Sequence, residues 1–109
     1  MASTLKNTII KDIGTVPILA VETNPGTRAV ILGINLSNLI DNVVYCTITI
    51  HDSTSVEGYY LKNIMLPANS TLKALAGGEK LVLEPENQLY FVSDESDSID
   101  AVLSYAEIV

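Results

Sequence analysis

The chain predicts an all-β protein, a single antiparallel β-sandwich or jelly-roll-like domain of eight or nine short strands. Three observations carry that reading. From Leu66 to Ser93 (LPANSTLKALAGGEKLVLEPENQLYFVS) short apolar segments are cut by Pro67, Gly77-Gly78 and Pro85, which leaves no room for a helix and only strips too short to stand alone. In VVYCTITIH, Val43 to His51, apolar and polar residues alternate with the period of a half-buried strand. Turn chemistry recurs about every ten residues, the spacing of a sandwich rather than of strands joined by crossover helices.

In chain order, residues 1–14 form an N-terminal arm or edge strand, with Thr4 to Asp12 as its extended part, ahead of a sandwich over residues 15–109. A strand from about Val16 to Val21 closes at TNPGT, Thr23 to Thr27, where Pro25 suits position i+1 and Gly26 position i+2 of a type II turn. Arg28 to Ser37 (RAVILGINLS) reads as a central strand with Val30, Leu32, Ile34 and Leu36 on its core face, and Gly33 marks a bulge or a close backbone approach. NLIDN, Asn38 to Asn42, reads as a hairpin connection to the next strand, whose Val44, Cys46, Ile48 and Ile50 face the core. Tyr59 to Met65 follows a break at Gly58, Gly77-Gly78 reads as a hairpin turn, and the last strand, Ile99 to Ile108, follows the acidic loop DESDS.

Composition narrows the function. At 109 residues the chain makes one core, and 48% hydrophobic against 17% charged residues leaves more apolar surface than a monomer of this size readily hides. The excess points to subunit contacts. A net charge of −7 repels phosphate backbones, so nucleic acid is not an expected direct ligand. No membrane span is expected, because Asn35, Asn38, Asp41 and Asn42 interrupt the most apolar region. The N-terminal sequence lacks the apolar core of a secretory signal, so nothing directs export.

Chemistry-bearing constellations are scarce. Cys46 and His51, the one thiol and the one imidazole, fall on opposite faces of one strand and roughly 16 Å apart along it, too far for a nucleophile and its base. No serine sits in G-x-S-x-G, and Gly77-Gly78-Glu79-Lys80 lacks the remainder of a phosphate loop. The acidic DESDSID segment has neither the glycine nor the terminal glutamate of an EF-hand, so it reads as a solvated turn. The expectation is no catalytic residue, no cofactor and no metal site. A carbohydrate- or receptor-binding module is the distant alternative, disfavoured by the lack of tryptophan and by only six Tyr and Phe.

What remains is assembly. In IDAVLSYAEIV both faces are apolar: Ile99, Ala101, Leu103 and Tyr105 on one, Val102, Ala106 and Ile108 on the other. One face enters the core, and a symmetric neighbour is the simplest cover for the other. Of the adjacent Tyr59 and Tyr60, which point to opposite faces, one is exposed. The candidate oligomer interface is therefore Tyr59, Val102, Ala106 and Ile108.

The order RAVILGINLSN, a long strand pair, YYLKNIMLPANSTLKALAGGEKLVLEPENQLYFVS and a closing IDAVLSYAEI resembles small virion structural proteins of tailed bacteriophages, cyanobacterial and marine phages above all. The likeness runs from about Val16 to Val109 and is strongest in Leu66-Pro67-Ala68, Gly77-Gly78-Glu79-Lys80-Leu81 and Leu83-Glu84-Pro85. The chain departs from the pattern at Asn24-Pro25-Gly26-Thr27, where that family carries P-A-G, and at Asn69 and Glu86-Asn87, where it often carries glycine. The resemblance implies a non-enzymatic virion protein made in the host cytoplasm. It implies a capsid decoration or cement protein acting as a homo-oligomer, a trimer by the symmetry of shells, against the major capsid protein; a neck, tail or fibre-associated component is the alternative.

Overall fold

The structure is a computed structural model describing residues 3–75 and 78–109. Nine strands make two antiparallel sheets: β1 (Ser3–Ile13), β2 (Ile18–Glu22), β3 (Arg28–Asn38), β4 (Val44–His51), β5 (Glu57–Leu66), β6 (Thr71–Lys73), β7 (Leu81–Leu83), β8 (Gln88–Ser93) and β9 (Ile99–Ile108). Sheet A runs β1, β9, β3, β6, with β7 also paired to β3; sheet B runs β2, β8, β4, β5. No helix occurs among the described residues.

The pairing order defines the wrapping. Both β6 and β7 run antiparallel to β3, one along Asn35 to Ser37 and the other along Ala29 to Ile31, so they are two stretches of one interrupted strand. Counted so, the antiparallel pairs nest, β1 with β9, β2 with β8, β3 with β6 and β7, and β4 with β5, and successive pairs fall in alternate sheets. That is one long hairpin rolled into two sheets, a jelly roll.

Three local expectations need correction. β3 and β4 lie in different sheets, so Asn38 to Asn42 is an arch between layers and not a hairpin turn. β6 and β7 do not pair with each other, so no hairpin turn joins them; Gly77 itself lies outside the described residues. β5 continues through Gly58, where an added Cβ would meet nothing within 4 Å, so this glycine does not break the strand.

The core sits between the sheets, with Phe91, Ile31, Ile34, Leu36, Ile48 and Leu103 at 1% exposure or less. Val44 and Cys46 join it, and Ile50 packs against it half-buried. Val30 and Leu32 were expected there but face outward, and Ala29 and Ile31 face in. The cause is a bulge: β3 shifts register against β9 between Ile31 and Gly33, so one extra residue flips the alternation on its N-terminal side. Gly33 marks the bulge and no close approach within the chain, because an added Cβ there would meet nothing within 4 Å.

Turns follow the sequence chemistry closely. The Thr27 N–H donates to the Asn24 carbonyl at 3.1 Å, with Gly26 at φ 79°, which is the type II turn expected of Pro25-Gly26. Asn87 closes the same kind of turn on Glu84 at 3.2 Å, with Glu86 at φ 65°. A left-handed glutamate carries a steric cost of about 1 kcal/mol that glycine avoids, partly offset by the entropy glycine loses on folding. Glu86→Gly is therefore expected to stabilise the protein by roughly 0.5 kcal/mol, about 3 °C in Tm by calorimetry; a fall in Tm would contradict this turn geometry.

Candidate functional site

The outer face of sheet A is assembled from residues the register places side by side. Leu5 of β1 lies opposite Ala106 of β9, which lies opposite Val30 of β3, which lies opposite Val82 of β7. Four residues along each strand, Ile9 lies opposite Val102. Between these rows stand Asn7, Ser104 and Gly33, with the bulged Leu32 beside them. Leu5 and Ile9 are 79% and 65% exposed, and Leu32, Val82 and Val102 are 41–51% exposed. Summed over these side chains, the open apolar area is on the order of 500 Å², the upper end for the largest patch on a monomer.

The alternation of β9 puts Ile99, Ala101, Leu103 and Tyr105 inward, and all four are buried, which leaves Val102, Ala106 and Ile108 together on this outer face. Tyr59 is 62% exposed but belongs to β5 in sheet B, so it stands on the opposite side of the sandwich. Three of the four candidate interface residues therefore share one surface. Leu5, Ile9, Val30 and Val82 complete it. Strand pairing alone selects them, and only the bulge frees Val30.

Edge contacts hold β1 against β9. Asp100 accepts from the Asp12 backbone N–H at 2.9 Å and from Lys11 Nζ at 3.2 Å. The first of these, with the lysine behind it, holds the Asp100 carboxyl below the usual carboxylate range. Lys6 pairs with Glu107 at 2.7 Å near the other end of the same strand pair.

On the outer face of sheet B, bulges in β5 opposite β4 turn Tyr59, Lys62 and Asn63 toward a groove of ≈ 530 Å³ that also takes in Thr47, Thr49 and Tyr90. His51 lines its end, with its ring 4.6 Å from that of Tyr90 and its Nε2 3.5 Å from Glu57. Cys46 points the other way and is wholly buried, so the thiol and the imidazole do not meet. Burial pushes the Cys46 thiol up to about 12, leaving it protonated and unreactive at neutral pH. Ellman's reagent is expected to leave the native protein unmodified and to titrate one thiol after denaturation; fast native labelling would show that the core opens.

Buried polar groups that sequence reasoning passed over hold the loops. Asn38, 4% exposed, donates from Nδ2 to the carbonyls of Asn42, Leu66 and Pro67 at 2.9–3.1 Å and accepts from the Ile40 N–H. Thr23 donates to the Glu84 carbonyl at 2.7 Å and accepts from the Asn87 N–H at 2.8 Å. Across the DESDS loop the buried hydroxyls of Ser93, at the end of β8, and Ser98 lie 2.6 Å apart. One signal was available for Asn38: it continues the inward alternation of Ile34 and Leu36. No group of His, Cys, Asp and Glu suited to a metal ion occurs among the described residues.

Comparison with known proteins returns fold and no family. No family model matches the chain, and no curated protein matches it. A solved structure described as "Bacillus endospore appendages form a novel family of disulfide-linked pili" matches with a TM-score of 0.59 at 8% identity, covering 98% of this chain and 88% of that one. At that identity the likeness establishes a shared fold and nothing of partners or chemistry. A chain of infectious bursal disease virus, Gt strain, matches with a TM-score of 0.40 at 11% identity over 98% of this chain and 30% of that one, too weak to carry an argument.

Proposed function

We propose that this chain is a non-enzymatic structural subunit that works by self-association, and that it decorates the head of a tailed-phage particle as a homo-trimer bound to the major capsid protein. The observation that carries the proposal is the contiguous apolar face of sheet A, centred on Val102 and Ala106 and rimmed by Leu5, Ile9, Ile108 and Val82. Its area supplies well over half of the roughly 800 Å² that each partner contributes to a stable interface. Ser104 and Gly33 leave a low strip between the two apolar rows, into which a neighbour's side chains can pack. Three copies turned toward a common axis would cover the face.

The family resemblance of the sequence supports the virion setting, and the separation of thiol from imidazole supports a role without turnover. A pilus-like appendage is the second reading, favoured by the fold shared with the Bacillus appendage structure. A disulfide link of the kind in that protein's description has no counterpart here, since the one cysteine, Cys46, is fully buried.

Light scattering on the purified protein at micromolar concentrations is expected to give three times the 11.7 kDa chain mass. A monomer both alone and in the presence of capsid protein would overturn the proposal. Immunogold labelling of intact particles separates head from neck and tail, and label confined to the tail would support the neck or tail assignment.

A further inference from the structure

We propose that the groove on the outer face of sheet B is a binding site for a neutral saccharide. It lies on the sheet opposite the proposed subunit seam, so the two readings stand or fall separately.

A solvated sheet face favours threonine and tyrosine by propensity alone. Propensity does not account for the backbone here. β5 slips register against β4 twice, between the partners of Cys46 and Ile48 and between those of Ile48 and Thr49, and Asn63 is held in the left-handed region at φ 51°. The Asn63 N–H donates to Thr47 Oγ1 at 3.1 Å, and that hydroxyl donates back to Asn63 Oδ1 at 3.3 Å. The asparagine amide is thereby anchored by its oxygen, leaving Nδ2 as the free donor end. Beside these bulges, Tyr59, Lys62 and Asn63 line the groove together with Thr47 and Thr49.

The lining sets the ligand class. Tyr59, 62% exposed, is steadied by Lys62 Nζ 5.0 Å from its ring centroid, and Tyr90 is steadied by the His51 ring. Two fixed aromatic rings suit the apolar C–H face of a pyranose. The Thr49 hydroxyl, the Asn63 amide and the Tyr59 hydroxyl offer donors and acceptors to ring hydroxyls, and no buried side-chain N or O among the described residues lacks a partner, so such open groups face solvent. Charge disfavours an anionic ligand: Glu57 lines the end of the groove beside His51, and the chain carries a net −7. A volume of ≈ 530 Å³ has room for one or two sugar rings. Sequence composition argues against glycans because aromatics are few; the fold brings two of the five tyrosines into one groove.

The test is titration of the ¹⁵N-labelled full chain with methyl β-galactoside, methyl α-glucoside, methyl α-mannoside and N-acetylglucosamine, with N-acetylneuraminic acid as the charged comparison, followed by a printed oligosaccharide array. At least one neutral sugar is expected to give saturable shifts at Thr49, Tyr59, Asn63 and Tyr90, and Tyr59→Ala should weaken it roughly tenfold while spectral dispersion stays native. Val102→Asp, on the other sheet, should leave sugar affinity unchanged. The proposal is overturned if no neutral saccharide binds on panel or array, if only the acidic sugar binds, if shifts map elsewhere, or if Tyr59→Ala keeps full affinity.

Discussion

Val102→Asp is expected to dissolve the homo-oligomer into folded monomers. Val102 lies between Ile9 on β1 and Asn35 on β3 and is 41% exposed in the single chain, so a carboxylate there stays hydrated in the monomer and strand content survives. In the assembled seam the same carboxylate would be taken out of water with no cation opposite it, at a cost of several kcal/mol. A penalty of about 4 kcal/mol corresponds to roughly a thousandfold loss in association, enough to turn a micromolar assembly into a monomer at working concentrations. Sedimentation velocity with circular dichroism on the same sample reads both halves. Val56→Asp is the control: Val56 is 64% exposed but precedes β5 in a loop away from this face, and it should leave assembly intact. An oligomer unaffected by Val102→Asp would place the seam elsewhere.

Asn38→Leu is expected to cost about 3 kcal/mol of folding stability, the largest loss from a single near-isosteric change. Its side chain ties the β3–β4 arch to the turn after β5 from a buried position, through the carbonyls of Asn42, Leu66 and Pro67, whereas the Asn69–Asp41 contact between the same two loops is exposed. Leucine fits the volume but leaves those carbonyls and the Ile40 N–H without their partner in a buried setting. Urea denaturation should show the midpoint falling at unchanged m-value, whereas Asn35→Leu, outward on the same strand, should stay within about 0.5 kcal/mol. Equal effects from the two substitutions would mean that the arch is held by packing and not by the amide.

The alternation along Val44 to His51, the Pro25-Gly26 turn and the two-faced closing strand were legible in the sequence because each depends on neighbours a few residues away. The period of two decides which side chains share a face, and proline and glycine restrict φ at their own position. These local rules determined the all-β class, the turn after β2, the buried row from Ile99 to Tyr105 and the outward Val102, Ala106 and Ile108. The left-handed Asn69 and Glu86 stand where the phage family that the sequence resembles often carries glycine.

Pairing and its irregularities were decided only by tertiary structure. Whether β3 turns back on β4 or arches to the other sheet depends on which partner buries more of both strands, and nothing within Asn38 to Asn42 encodes that choice. A single bulge at Leu32-Gly33, stabilised by pairing with β9, exchanged Val30 and Leu32 for Ala29 and Ile31 in the core and so created the apolar row on the outer face. The bulges of β5 are of the same kind: they shift the strand that carries Tyr59 beside a groove shared with Tyr90, 31 positions along the chain, while the place of β5 in sheet B keeps Tyr59 from the proposed seam at Val102. Local sequence sets the alternation, and only contacts between distant strands fix its phase and its partners.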